Sequence, residues 1–387
     1  MTRRDQLQAP VAIWAVRDSG APPLFGLPPE ERLVRSLAKA GLGGSPVIIH
    51  VPAAGTLCAR LDDAIAANEG ALIAVEEGAA TDPRLLTALA RAEGSLVART
   101  NDGAALRLAP GTALPDAEDL PALADALIAA GTPKLEQAGF DGFIGVLRRD
   151  LPYWILRPRD AAEAQAAERW MFLSNYKGST DILTAHVFPP LVWPLTRWCA
   201  ALGISPNAVT IVSIILTGLA TLLFYQGHLA AGLLAAYAMA VLDSVDGKLA
   251  RVTLADSAIG NVLDHGLDIV HPPFWWLAWA YGATALGGPD WLWPAAWAMT
   301  AFYVADRLVL MVAKARFGRG LHAMTRLDGQ VRSFISRRNI NLLILTVGLA
   351  IGQETAAFAI VVGWQVATCL WHALRTAMLY PRGRVAS

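Results

Sequence analysis

Leu242-Asp243-Ser244-Val245-Asp246-Gly247-Lys248-Leu249-Ala250-Arg251 closes one long apolar stretch, and Gly260-Asn261-Val262-Leu263-Asp264-His265-Gly266-Leu267-Asp268 opens the next. Four carboxylates therefore sit at the polar ends of two apolar helices. One acidic side chain inside a membrane helix costs about 2.5–3.5 kcal/mol on insertion scales, so several together require paired charge, water or metal. Asp243 and Asp246 are three positions apart, and Asp264 and Asp268 four, which puts each pair on one helix face. Two such faces meeting across a bundle form an oxygen-rich site suited to hard divalent cations. Gly247 and Gly260 let backbone approach a ligand or a neighbouring helix, and Arg251 offers a planar fork to a diphosphate. Metal and arginine around acidic helices imply an anionic, phosphorylated substrate without naming its nucleotide.

The flanking hydropathy extends the membrane reading. A helix needs about 20 predominantly apolar residues to cross the hydrocarbon core, and spans are expected near 207–226, 229–249, 258–282, 290–313, 338–353 and 355–379. The segment 184–203 is apolar around Arg197 but broken by Pro189, Pro190 and Pro194, and reads as an interfacial amphipathic helix. The connections at 226–228, 283–290 and 352–355 carry no Lys or Arg, whereas Lys248, Arg251, Lys314, Arg316, Arg319, Arg326, Arg332, Arg337, Arg338, Arg382 and Arg384 all fall on the opposite side. The positive-inside rule then places both termini in the cytoplasm, and six spans agree with that parity. Trp275, Trp276, Trp279, Trp291 and Trp293 gather around the second outer loop and read as an interfacial aromatic belt.

Composition divides the chain. An apolar share of 55% with 17% charged residues is high for a purely soluble protein, and the excess is concentrated in the second half. Residues 1–156 read as a soluble domain, 157–204 as a polar linker with the interfacial helix, and 205–380 as the membrane domain. In the soluble half, apolar runs at 11–16, 46–51, 71–75, 95–98 and 142–147 alternate with helical patterns at 30–40, 57–68, 83–92 and 120–130, which predicts an α/β layered domain with a largely parallel sheet. Thirty-two basic residues balance thirty-two acidic ones, so net charge gives no reason to expect a nucleic-acid partner. Cys58, Cys199 and Cys369 have neither metal-type spacing nor a pairing pattern, and no apolar leader follows the basic N-terminus.

The pattern D-x-x-D-G-x-x-A-R-x8-G-x3-D-x3-D, complete from Asp243 to Asp268, resembles the signature of the CDP-alcohol phosphotransferases. Eight fixed residues at ordinary frequencies match by chance on the order of 10⁻¹⁰ per start position. Ser205-Pro206-Asn207-Ala208-Val209-Thr210 resembles the family's P-N-x-x-T opening of the first span. The resemblance implies an all-α six-helix transmembrane bundle, usually a homodimer in the inner membrane, with a cytoplasmic site. It also implies two Mg²⁺ or Mn²⁺ ions held by Asp243, Asp246, Asp264 and Asp268, with Asp268 as general base, and Asn207, Thr210, Gly247, Arg251 and Gly260 holding the CDP group. The acceptor hydroxyl would attack the distal phosphorus and CMP would leave. The donor is expected to be CDP-diacylglycerol or a CDP-inositol-like compound, with membrane lipids as surroundings.

Arg332, Arg337 and Arg338 stand just before the fifth span; they serve the positive-inside rule or grip a phosphate on the acceptor, and Ser336-Arg337-Arg338-Asn339 resembles inositol-phosphate-using members. The soluble half resembles the cytidylyltransferases fused to this membrane domain in some of them, a nucleotidyltransferase-like fold. The stretch 15–22 lacks their Gly-rich loop, and Glu76-Glu77-Gly78 stands where a metal-binding aspartate is expected. A single-activity phosphotransferase with a degenerate cytosolic domain is thus favoured over a bifunctional enzyme that makes its own donor. A non-enzymatic transporter is the third reading, but a proton relay has no reason to require the accompanying Gly and Ala-Arg positions.

Overall fold

Short β-branched and apolar runs bounded by prolines and aspartates build the N-terminal half. The structure, a computed structural model, describes residues 12–16, 20–43, 46–49, 56–67, 70–255 and 258–380; of residues 48, 49, 56, 258–265, 267 and 268 it describes the backbone alone. The chain divides into two units, the first made of 1–144, 149–174 and 252–254, the second of 145–148, 175–251 and 255–387.

In the first unit the strands are β1 Ala12–Val16, β2 Val47–Ile49, β3 Leu72–Glu76, β4 Ala80–Thr81, β5 Leu96–Arg99, β6 Ala104–Leu108, β7 Phe143–Ile144, β8 Arg149–Asp150 and β9 Ile155–Leu156. The helices are α1 Pro29–Lys39, α2 Thr56–Ala67, α3 Pro83–Arg91, α4 Leu120–Ala129 and α5 Ala161–Ser174. Five strands form one sheet in the order β2-β1-β3-β6-β5. Alternate side chains sort the layers: Ile13, Ala15, Ile73 and Val75 pack with Leu33 and Leu37 of α1 and Leu85 and Leu89 of α3. Leu72, Ala74 and Leu106 pack on the opposite face with Leu61 of α2 and Leu123 of α4. Asp82 and Asp119 cap α3 and α4, accepting from the backbone N–H of Arg84 at 2.9 Å and Ala122 at 2.8 Å.

The sheet is mixed, which corrects the largely parallel expectation. β1 runs parallel to β2 and β3, but β6 is antiparallel to both β3 and β5. The turn Thr100-Asn101-Asp102-Gly103, closed by Thr100 N–H on Gly103 O at 3.0 Å, folds β5 straight back into β6. β6, Ala-Ala-Leu-Arg-Leu, has no β-branched residue, and Arg107 interrupts its apolar run, so sequence pattern passes over it.

The second unit is helical. A π-helical turn at Leu183–Val187 leads into α6 Pro189–Ala201, then α7 Pro206–Tyr225, α8 Leu229–Val252, α9 Ala258–Ala285, α10 Leu292–Phe317, a short 3₁₀ turn Leu321–Ala323, α11 Arg326–Val331, α12 Arg338–Ala350 and α13 Glu354–Leu379. Four of these, α7, α8, α10 and α13, are long and apolar enough to cross a membrane, counted among the described residues; α12 is a shorter apolar helix. Side chains of α7, α8, α9, α10, α12 and α13 share one apolar core. Trp275, Trp276 and Trp279 lie inside it, at most 1% exposed, so they are not the expected interfacial belt. α9 continues unbroken to Ala285, which sets Trp279, Trp276 and Trp275 six, nine and ten residues before its end. There Trp275 donates to Thr217 O at 3.2 Å, and Phe224 meets both Trp275 and Trp279 edge-on. Trp291 and Trp293 do remain partly exposed.

Close crossings set the bundle. A Cβ at Gly282 of α9 would lie 1.9 Å from Phe224 O and 2.8 Å from Gly227 N, both backbone atoms at the end of α7. A buried polar group ties the opposite side: His372 of α13 bonds through Nδ1 to Asp306 of α10, and Arg375 grips Asp328 with both Nε and Nη2 at 2.7 and 3.0 Å. Burial and the nearby Arg332 and His372 push His322 down to about 2, so its ring is neutral and adds no repulsion there. Gly282→Ala is expected to destabilise the protein by roughly 1–3 kcal/mol through forced separation of α7 and α9, while Gly363→Ala, where a Cβ meets nothing within 4 Å, is tolerated. Thermal unfolding in detergent measures the contrast, and equal midpoints would contradict this crossing.

Candidate active site

Thr210 and Asp246 join the first two long helices. Ser205 caps α7 by accepting from Ala208 N–H at 3.2 Å, Pro206 supplies the first helical φ, and Thr210 follows one turn later. Its hydroxyl donates to Asp246 Oδ2 at 2.7 Å and lies 3.1 Å from Pro206 O, and both residues are buried. One turn earlier on α8, Asp243 Oδ2 accepts from Arg338 Nη2 at 2.6 Å, a charge-assisted bond that ties α8 to the start of α12.

Above these carboxylates lies a polar cavity of about 150 Å³. α8 contributes Asp243, Ser244, Gly247, Lys248 and Arg251; the segment before α6 contributes Asn175, Tyr176, Lys177, Thr180, Asp181 and Thr184; the start of α12 contributes Arg337, Arg338 and Asn339. The Arg251 guanidinium lies back over Gly247, whose Cβ, if present, would sit 3.5 Å from both Nη atoms. That is ordinary van der Waals contact, so Gly247 and the guanidinium lie side by side without a steric demand for glycine. Lys248 places its ammonium 3.8 Å from the centre of the Tyr176 ring, which accommodates a largely buried cation.

Asp181 organises the far wall. It is buried and accepts from Thr184 N–H at 3.0 Å and Asn339 Nδ2 at 3.2 Å, with Arg337 Nη1 at 3.8 Å. Burial alone would raise its pKa, but Arg337 and these donors outweigh that and hold it below the usual carboxylate range. Around this one acid stand Arg148, Lys177, Arg332 and Arg337. Partial burial of the ammonium and the charges of Arg148, Arg251, Arg337 and Arg332 pull Lys177 down to about 8, although much of its side chain is open to solvent. The buried Nε of Arg332 has no hydrogen-bond partner among the described residues; burial and the neighbouring Arg337, Arg148 and Arg307 push the guanidinium well below the usual arginine value. A wall with this surplus of positive charge is suited to a phosphate-bearing anion.

The cavity brings together Asp243, Gly247, Arg251, Arg337 and Arg338 of the residues expected from sequence, with Thr210 and Asp246 joined immediately behind. Asn207, on the first turn of α7, and Arg332 do not line it. Gly260, Asp264 and Asp268 fall in the first three turns of α9, and their side chains lie outside the described residues. Two carboxylates on one helix face beside a polar cavity have the donor chemistry for a hard divalent cation, although among the described residues no group of three or more His, Cys, Asp or Glu side chains converges here or elsewhere. Sequence reasoning missed Lys177, Asp181 and Arg148, because it read 157–204 as a linker with an interfacial helix and gave no role to Arg148, which follows the apolar run 142–147. The close charges of Lys177 and Asp181 just before an interfacial helix were the available signal.

In the first unit, Glu76 at the end of β3 is buried, its Oε1 2.9 Å from Arg157 Nη1 and its Oε2 accepting from Ala104 N–H at 3.4 Å. A Cβ on Gly103 would come within 2.8 Å of that oxygen. Residues 17–19 of the stretch 15–22, which lacks a Gly-rich loop, lie outside the described residues.

Residues 203–371 match the CDP-alcohol phosphatidyltransferase family. The chain is 39% identical over 90 residues to an archaetidylinositol phosphate synthase of Pyrococcus horikoshii, covering 22% of this chain and 47% of the relative. It is 32% identical over 114 residues to a phosphatidylinositol phosphate synthase of Mycobacteroides abscessus, covering 28% and 52%. With cholinephosphotransferase 1 of Mus musculus the identity is 27% over 194 residues, covering 45% and 46%. The chain spans about half the length of these curated relatives.

The basic wall carries a pH dependence. Lys177 is charged below about 8 and neutral above it, so phosphate-anion binding to the full chain is expected to weaken as pH rises through about 8. Lys177→Met should remove that step and leave a flat profile between pH 7 and 9, read by calorimetric titration with inorganic phosphate. A step of unchanged size in the variant would contradict the assignment.

Proposed function

From a chain whose residues 203–371 form a CDP-alcohol phosphatidyltransferase domain, we propose a membrane enzyme that transfers a phosphoalcohol group from a CDP-alcohol to an acceptor hydroxyl and releases CMP. The observation that carries this reading is the pairing of Asp243 and Asp246 on one face of α8 beside a cavity walled by cations. Asp243, Asp246, Asp264 and Asp268 would hold the divalent ions, Mg²⁺ or Mn²⁺, which when bound neutralise the donor diphosphate. Asn207, Thr210, Gly247, Arg251 and Gly260 hold the CDP portion. Asp268 accepts the proton of the acceptor hydroxyl. The acceptor oxygen then forms a bond to the distal phosphorus of the diphosphate, the bond from that phosphorus to the bridging oxygen breaks, and CMP leaves with that oxygen.

The acceptor side favours a phosphorylated alcohol. Arg148, Lys177 and Arg337 present more positive charge than Asp181 balances, which a neutral diacylglycerol would leave uncompensated. The two synthases named above make inositol phosphate lipids by name, whereas a cholinephosphotransferase is named for choline. Arg332 and Arg338 are assigned to the same basic approach, and the donor is a CDP-diacylglycerol or CDP-inositol-like compound. Helices α7, α8, α9, α10, α12 and α13 are read as six spans in an inner membrane, in a homodimer, with both termini and the site cytoplasmic. Support comes from Lys314, Arg316, Arg319 and Arg326, which all follow the end of α10 or stand in its last turn.

The N-terminal unit is read as a nucleotidyltransferase-like layered domain without catalysis. Its three layers and the β2-β1-β3 parallel core support the fold, while the sealed Glu76 and the prolines at 22 and 23, which donate no N–H, argue against a triphosphate site.

Asp268→Asn is expected to abolish CMP release while retaining most Mn²⁺ binding, because an amide coordinates weakly but takes no proton; Asp243→Asn should lose both. Near-normal turnover in Asp268→Asn would overturn the assigned base. The full chain supplied with CTP and an alcohol phosphate is expected to release no pyrophosphate, and release dependent on both would establish the bifunctional reading instead.

A further inference from the structure

Arg338 and Arg337 are adjacent, yet the fold commits them to different partners. Arg337 turns to Asp181 at 3.8 Å, on the wall away from α8. Arg338, the first residue of α12, reaches α8, where Nη2 donates to Asp243 Oδ2 at 2.6 Å and Nη1 lies 3.5 Å from Met239 Sδ. The two side chains of this pair are only 15% and 20% exposed. At that distance and burial the guanidinium occupies the lone-pair direction of the oxygen that a cation would use.

We infer that Arg338 is a built-in competitor for the divalent cation at Asp243, holding the carboxylate charge-balanced in the metal-free protein and giving it up when the cation arrives. This rests on the proposed metal role of Asp243. A carboxylate this buried is strongly unfavourable without a counter-charge, so a positive group is required at Asp243 whenever no cation is bound there. Arg338 fills that role from a neighbouring helix. Once displaced, its guanidinium lies at the rim of the cavity shared with Arg251 and Arg337, where a phosphate can take it up. Cation loading thereby adds one donor to the anion site, and linkage requires that an anion favouring the displaced arginine also favours the cation.

The test is Mn²⁺ binding to the purified full-length protein in detergent, followed by electron paramagnetic resonance without nucleotide or acceptor. Arg338→Gln removes the competing charge and is expected to bind Mn²⁺ roughly tenfold more tightly, the size expected on losing one charge-assisted bond. Arg338→Lys, which keeps the charge but not the planar fork, should fall between that variant and wild type, and it guards against misfolding of the first variant. Asp243→Asn should weaken binding in either background. Unchanged or weaker Mn²⁺ affinity in Arg338→Gln, with Asp243→Asn still impaired, overturns the competition and leaves the proposed function standing. Binding that does not depend on Asp243 overturns both.

Discussion

Two carboxylates one turn apart near the end of a membrane helix are the constraint around which the second unit is arranged. Asp243 and Asp246 are costly in such a place unless each oxygen has a partner. Thr210 reaches Asp246 from α7 and Arg338 reaches Asp243 from α12, so three helices are held in register by the need to satisfy them. The apolar core of buried indoles and the close backbone approach at Gly282 sit further along the same helices and give that arrangement its stiffness.

A second constraint acts on the opposite wall. Cations crowded beside one another repel, and here they are fixed by a single buried acid. Asp181 accepts from Thr184 and Asn339, which lock its orientation, and so gives Arg337 a rigid counter-charge. The remaining positive charge, on Arg148, Lys177 and Arg332, is left for something that is not part of the chain. Burial first, and the neighbouring positive charges second, depress Lys177 and Arg332.

The helices were legible because long apolar runs mark them: α7 to α10, α12 and α13 fall within a few residues of the expected segments, and four of them, α7, α8, α10 and α13, are long and apolar enough to cross a membrane. Asp243, Gly247 and Arg251 were legible because their spacing is a helical period, and the structure gathers them at one cavity. Trp275, Trp276 and Trp279 were misread because composition near a loop does not reveal that the helix continues beneath it. β6 was missed because its burial between β3 and β5 comes from the sheet and not from its own propensity. Arg338 could not be separated from Arg337 by pattern alone. On a helix start, neighbouring residues diverge by about 100°, and only tertiary packing decides which one meets α8. Lys177 and Asp181 lie in the connection between α5 and the π-helical turn, where no period exists to read.

The central claim is that the cavity beside Asp243 and Asp246 catalyses a cation-dependent transfer from a CDP-alcohol. Its most direct test is the appearance of CMP when the full chain in liposomes is given CDP-diacylglycerol or CDP-inositol together with a phosphorylated polyol or lipid acceptor. The account predicts CMP in equal amount to the new phosphodiester, with both lost on removing the acceptor or chelating divalent cations. CMP release undiminished by the chelator, or none with any CDP-alcohol tried, would contradict it.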